Sequence, residues 1–298
     1  MIMVDDTSTL AALGRFMRDY RESTTAVVAL LVVAVFVLAA LMAPLIAPQN
    51  PYDLASLSFL DARRPPGTVG SGGYVHILGT DAQGRDLYSA ILYGLRISLQ
   101  IGVTAGAVAL VIGATLGLMA AYFGGRTEIL IMRIVDLQLS FPPILLALVL
   151  VAMMGQGRYQ LIAALAAAQY AYFARTIHGT ASAERRKDYI EAALAIPLPV
   201  SRVLFRHLLP NSLPPLIVVA TVQIANAISL EATLSFLGLG LPVSEPSLGL
   251  LISNGFQYLL SGRYWISVYP GIALMVLIVA INLVGDRIRD VLNPANQR

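Results

Sequence analysis

The chain has 298 residues, 57% of them hydrophobic and only 12% charged, with a formal net charge of +3. Soluble domains carry about twice that charged share, so the composition is that of a membrane protein. Cysteine is absent and the 3 histidines, His76, His178 and His207, are scattered, which excludes disulfides, thiol catalysis, iron–sulfur clusters and a metal site of ordinary spacing.

The pI near 9.2 comes from arginines gathered in particular segments rather than laid along one face. That pattern fits membrane topology, and nucleic acid is not an expected partner. A hydrocarbon core about 30 Å thick takes roughly 20 apolar residues of helix. On that measure six spans are expected, at about 26–47, 97–122, 131–155, 160–177, 214–238 and 266–285. Residues 1–25 form a polar lead containing Arg15, Arg18 and Arg21. The apolar run behind it is longer than the roughly 7–15 residues of a cleavable signal, so 26–48 is expected to stay as an anchor in the lipid bilayer.

Residues 49–94 are rich in proline and glycine (Pro65-Pro66, Gly72-Gly73) and read as an irregular outer segment. A core over 95–290 with five spans and a short tail over 291–298 complete the division. With the N-terminus inside, 14 of the 20 lysines and arginines fall on inner segments, which places both termini in the cytoplasm.

The second span carries a seam of small residues. Gly102, Gly106, Gly113 and Gly117 share an arc of roughly 80° with Ala109 and Ala120, and such a seam lets helix backbones approach closely. Further along, Asp136 follows Arg133 by three residues, a spacing suited to an ion pair on the helix surface. Asp81 is expected to serve turn or cap chemistry ahead of the second span.

On the fifth span Gln223, Asn226, Ser229 and Thr233 lie within an arc of about 120°. Lipid offers such groups no hydrogen-bond partner, so they face either a water-filled passage or another helix. Glu231 stands about 80° from Gln223 and close to the outer interface, which suits a gate or a subunit contact. The stretch with Leu250, Leu251, Phe256, Leu259 and Leu260 is amphipathic and is expected on the membrane surface or over the pore.

Between the fourth and fifth spans, residues 178–212 form a charged insertion too short for a core of its own. It nevertheless carries Leu194, Ile196, Leu198, Val200, Val203, Leu204, Phe205 and Leu208. Clustered apolar side chains with a charged rim suit a docking surface for a soluble partner, although they can also pack back onto the bundle. Residues 184–196 are expected to be helical, Pro197 and Pro199 to stop that helix, and Ser201 to cap a second one ending near Leu209. The only lysine, Lys187, does not sit in a GxxxxGK[ST] loop, so any ATP hydrolysis must come from another chain.

The blocks Ala43-Pro44-Leu45-Ile46-Ala47-Pro48, Gly79-Thr80-Asp81 to Gly84-Arg85-Asp86, Ser140-Phe141-Pro142, Ser229-Leu230-Glu231-Ala232 to Ser235-Phe236-Leu237-Gly238-Leu239-Gly240, and Asn282 to Gly285-Asp286 with Arg289-Asp290 resemble the "C" permeases of bacterial dipeptide/oligopeptide ABC importers. Residues 185–211 are similar to the cytoplasmic EAA docking loop of such permeases. The resemblance implies an all-α, type I importer permease fold in a bacterial inner membrane. It also implies a second permease subunit completing a heterodimer, cytoplasmic ATP-binding subunits that hold ATP and magnesium, and an extracytoplasmic solute-binding protein. This chain itself would hold no cofactor and catalyse nothing.

In the docking loop the resemblance points to Asp188, Tyr189, Glu191, Ala192, Ala193, Pro197, Arg202 and His207. Pro197 stands where the family usually has glycine, and Leu248 where it usually has tryptophan. Peptide is the leading cargo, with nickel chelates, opines and oligosaccharides as alternatives in the same architecture. A secondary transporter would need coupling acids at mid-membrane, and no such pair occurs within the spans.

Overall fold

The computed structural model describes residues 6–53, 57–190 and 199–292. The docking-loop residues Glu191, Ala192, Ala193 and Pro197 lie outside the described residues.

Helix α1 (Asp6–Arg21) precedes α2 (Thr24–Ile46), whose N-terminus is capped by Ser23 accepting from the Ala26 amide at 3.3 Å. A small antiparallel hairpin, β1 (Thr68–Val69) and β2 (Val75–His76), breaks the irregular outer segment. Helix α3 (Leu87–Phe123) begins at a sharp cap: Asp86 accepts from the Ser89 amide at 2.8 Å and from its hydroxyl at 2.7 Å. The cap residue is thus Asp86. Asp81 makes a turn instead, its Oδ1 accepting from the amides of Gln83 and Arg85, each at 2.9 Å. With 37 residues, α3 rises about 55 Å, well past the bilayer core.

The expected third span is not one helix. Helices α4 (Gly125–Leu139) and α5 (Pro143–Met154) meet at 93° around Ser140-Phe141-Pro142. Proline biases its predecessor away from α geometry and offers no amide, so adjacent Pro142 and Pro143 break the hydrogen-bond ladder.

Helix α6 (Arg158–Arg185) follows, and it covers the expected fourth span. Among the described residues four helices are long and apolar enough to cross a membrane, or five if the bent α4–α5 pair is counted once. The six-span count is not reproduced, because α6 falls short in apolar character. Its environment explains why. Leu161, Ala164, Leu165, Ala168, Phe173, Ala174 and Ile177 are buried against neighbouring helices, so this helix needs small residues rather than a lipid-soluble coat.

Helix α7 runs unbroken from Val200 to Phe236. Neither a Ser201 cap nor a stop near Leu209 is present. Pro199 occupies the N-cap position, and the Arg202 amide donates to its carbonyl at 2.9 Å. A π-helical turn over Leu204–Leu208 then carries the chain into the span, closed by the Leu209 amide on the Leu204 carbonyl. The turn is placed where Pro210, Pro214 and Pro215 withhold amides from the regular ladder, and the wider ring absorbs the mismatch.

In helix α8 (Leu248–Phe256) the apolar residues divide, and Phe256 is exposed, as is Leu260 just beyond it. Leu248, Leu250 and Leu251 are buried, Gly249 abuts the Ala232 backbone of α7, and Gly255 abuts Ile266 of α9 (Trp265–Leu292). Leu248, in the place of the family tryptophan, packs on Gly94 of α3.

The glycine seam of α3 serves two partners. A Cβ added at Gly102 would meet Ile228 of α7 at 2.5 Å, and one at Gly106 would meet Ile224 at 3.1 Å. At Gly113 it would meet Phe173 Cβ of α6 at 2.6 Å, and at Gly117 the Ala174 carbonyl at 2.6 Å. The centre of α3 is therefore pressed between α7 and α6, most tightly at Gly102, Gly113 and Gly117.

Candidate passage and docking surface

Helix α7 presents one open face. At 100° per residue, Asn211, Pro215, Val218, Val222, Asn226, Ser229 and Thr233 fall within roughly 80° of each other. Asn226 and Ser229 are exposed, and Thr233 is partly so. Gln223 lies about 60° away and is only 5% exposed. The lower part of the open face walls a cavity of about 810 Å³ between the middle of α6, α7 and the end of α9. Tyr172, Arg175 and Thr176 of α6, Asn211 to Gln223 of α7, and Arg289 of α9 line it. The structure thus joins a polar stripe to a sizeable cavity on a single helix face.

Arg175 is held at this cavity by Asp136 of α4, at 2.5 Å. The expected Arg133–Asp136 pair does not form. The bend at Ser140-Phe141-Pro142 brings α4 against α6, and a partner on another helix takes the carboxylate.

Glu231 stands apart from the open face. It is fully buried, and its two oxygens accept from Ser98 of α3 and Ser235 of α7, each at 2.8 Å. The carboxylate ties α3 to α7.

At the other end of α7 the described part of the docking segment divides in two. Ile190, Val203 and Leu208 are buried in a cluster with Phe173, Ile177 and Leu216, while Val200 and Phe205 are exposed, Phe205 at 63%. A concavity of about 660 Å³ lies among Pro199, Ser201, Arg202, Phe205, Arg206 and Pro210. Leu194, Ile196 and Leu198 lie outside the described residues, and of the described part of the apolar set only Val200 and Phe205 are exposed. Asp188 and Arg202 are exposed, and His207 is partly exposed.

Tyr189 makes two side-chain hydrogen bonds. It donates to Glu184 at the end of α6 and accepts from Asn211 Nδ2 at 3.0 Å. Partial desolvation, with the Glu184 carboxylate beside it, pushes the phenol up to about 12. Desolvation works against the charge on Glu184, but hydrogen bonds from Lys187 and Tyr189 outweigh it and hold that carboxyl below its usual range.

Sequence reasoning missed the buried polar layer ahead of α3. His76, Thr80, Asp81, Arg85 and Asp86 are all buried. Arg85 pairs with Asp81 at 2.6 Å and also donates to the Val243 carbonyl at 3.3 Å, while His76 contacts Asp86 at 3.0 Å. Trp265 of α9 donates to the Thr80 carbonyl at 3.3 Å. The two acids and the arginine of the Gly79–Asp86 block are visible as a motif, but only the folded loop shows them turned inward. Asp61 lies in the same layer. Burial raises its carboxyl, but Ser71 and Arg64 more than offset this, and the group is held below the usual carboxylate range.

A bundle of long apolar helices around a polar-faced helix and an open cavity is the architecture of a membrane permease. The chain belongs to the family described as binding-protein-dependent transport system inner membrane component, whose profile matches residues 113–298. A second profile, the N-terminal transmembrane domain of oligopeptide transport permease C, matches residues 12–66. The dipeptide transport system permease protein of Alkalihalophilus pseudofirmus is 36% identical over 93% of this chain and 88% of its own. The dipeptide permease of Haemophilus influenzae is 32% identical over 95% and 94%, and a putative peptide transport permease of Brucella suis is 39% identical over 90% and 86%. Among solved structures, a chain of the MetNI methionine ABC transporter in an inward-facing form superposes with a TM-score of 0.54 at 22% identity, covering 68% of this chain and 96% of that one. The fold is therefore that of a type I importer, and the protein is a multi-pass inner-membrane permease subunit of an ABC transporter. Membership implies ATPase and substrate-binding partners.

Proposed function

We propose that this chain forms one half of the passage of a peptide importer, completed by a second, different permease subunit. Cytoplasmic ATP-binding subunits would grip residues 178–212, with Asp188, Tyr189, Glu191, Ala192, Ala193, Pro197, Arg202 and His207 at or near the contact. An extracytoplasmic binding protein would deliver the cargo. ATP and magnesium sit on the partner subunits in this reading, and the chain contributes no catalytic residue. Both termini face the cytoplasm, in keeping with the bias of basic residues toward those segments.

The observation that supports this best is the continuity of α7. One helix starts beside the docking segment, walls the cavity, and exposes Asn226, Ser229 and Thr233 further along. A rigid rod of this kind turns a push at its inner end into a shift of the passage wall. Closure of the ATPases on ATP would move the docking segments and switch the passage between its two openings. Peptide as cargo is supported by the names of relatives that match over nearly the whole chain.

The test is uptake by the complete complex in proteoliposomes with its binding protein. ATP-dependent, vanadate-sensitive accumulation of labelled dipeptides is expected. Glu191→Lys should insert normally yet lose its ATPase on co-purification and abolish uptake. Accumulation that runs on an ion gradient without ATP would overturn the assignment.

A further inference from the structure

We propose that the Tyr189 hydroxyl is a positioning group that couples the docking segment to the passage by clasping the end of α6 to the start of α7. The inference rests on the reading that residues 178–212 receive the ATPases.

The geometry is a three-residue joint. Glu184 lies in the last turn of α6, where Lys187 holds one carboxylate oxygen at 2.7 Å. The other oxygen accepts from Tyr189. The same hydroxyl accepts from Asn211 Nδ2 at 3.0 Å, and Asn211 also donates to the His207 carbonyl of its own helix at 2.7 Å. One phenol oxygen thus bridges helices that leave and re-enter the bundle on either side of the docking segment. Next to it, Ile190 is fully buried against Phe173, Val203 and Leu208, so apolar packing fixes the joint from the inside.

Asn211 gives the joint its reach. It stands on the open face of α7 and lines the cavity together with Arg175 and Pro215. The contacts therefore run from the docking segment through Tyr189 to Asn211 and the cavity wall. Without the hydroxyl, the two helices keep their packing but lose the polar tie that makes them move as one. A tie to a carboxylate is of the stronger kind, and losing it should weaken coupling about tenfold.

The experiment uses the complete complex in proteoliposomes, with Val218→Cys in this otherwise cysteine-free chain. The readouts are ATPase retained on co-purification, ATP hydrolysis, and the change in the rate of thiol labelling when ATP and vanadate are added. None of these needs the cargo to be known. In Tyr189→Phe the ATP-dependent change in labelling, measured per ATP hydrolysed by the complexes that retain their ATPase, should fall about tenfold. Asn211→Ala should do the same, and the double variant should be no worse than either single one. An undiminished labelling response in Tyr189→Phe would overturn the proposal. So would loss of the ATPase in step with the response, which would mark a merely structural role. Retention of the ATPase by Glu191→Lys would instead remove the docking reading beneath it.

Discussion

Ser98 of α3 donates its hydroxyl to the buried Glu231 carboxylate of α7 at 2.8 Å, across 133 positions of sequence. Ser235 satisfies the other oxygen, so the acid binds two long helices together on the side away from the open face. This separates the clasp of the bundle from the open face, although both belong to one helix.

The clasp predicts a difference between two substitutions. Glu231→Gln keeps an acceptor for the serines and should leave uptake within about twofold of the parent. Glu231→Leu strands two buried hydroxyls at about 1–3 kcal/mol each and should lower the thermal unfolding temperature of the detergent-solubilised complex. A Glu231→Gln protein of unchanged Tm that no longer transports would give the carboxylate a part in the passage itself.

The two contacts of the α3 seam differ in tolerance. Gly113→Leu drives a side chain into the Phe173 Cβ and α6 backbone positions, where overpacking costs several times what a core commonly absorbs, on the order of 3 kcal/mol or more. Monodisperse protein on size-exclusion chromatography should be lost. Gly106→Ala meets only Ile224 Cγ1 at 3.1 Å and should be recovered in near-normal yield. Equal yields would contradict the close-packed contact between α3 and α6.

Because the chain has no native cysteine, water along α7 can be mapped directly. Cysteines placed at Val218, Asn226 and Ser229 should react with charged, membrane-impermeant thiol reagents. Cysteines at Val111 and Val35, exposed apolar positions on α3 and α2, should not. Inert sites at 226 and 229 in the assembled transporter would turn the polar stripe into a dry contact with the partner permease.

The polar layer ahead of α3 has an acid limit set by Asp61. Its folded carboxyl titrates below the ordinary 3.8, so its stabilisation is fully present above that value and is lost as the pH falls through the lower folded one. Protease cutting near Gly72-Gly73 should rise only in that acid range. Asp61→Asn, which removes the charge facing Arg64 and one acceptor for Ser71, should raise cutting at neutral pH. An unchanged cutting pattern would show that the hairpin does not depend on this acid.

Several parts of the molecule were legible in the residues alone. The apolar runs at 26–47, 97–122, 214–238 and 266–285 each fall on a membrane-length helix, because lipid demands unbroken apolar composition there. The glycine seam read as a close helix contact, and that is where it sits. The fourth span read as one more apolar run of membrane length, yet its alanines record burial among other helices. Hydropathy cannot tell lipid from protein as the apolar surrounding. The third span read as one run over 131–155, because averaging over a window hides the local break in the amide ladder at Pro142-Pro143.

The docking segment shows the same limit. Periodicity gave Val203, Phe205 and Leu208 equal standing, but only Phe205 of the three is exposed. Asp136 found Arg175 rather than the near neighbour Arg133, since a bend in the chain matters more to an ion pair than three residues of spacing.

Composition, apolar run length and the placement of basic residues were enough to make this a cysteine-free, multi-pass membrane protein with a charged insertion, because these follow from the solvent each segment must face. Which helix face stays open, which acid is buried as a clasp, and how Tyr189 spans α6 and α7 were settled only by the tertiary structure. Those depend on bends at proline and on contacts between residues far apart in the chain, and no local pattern encodes the distance between them.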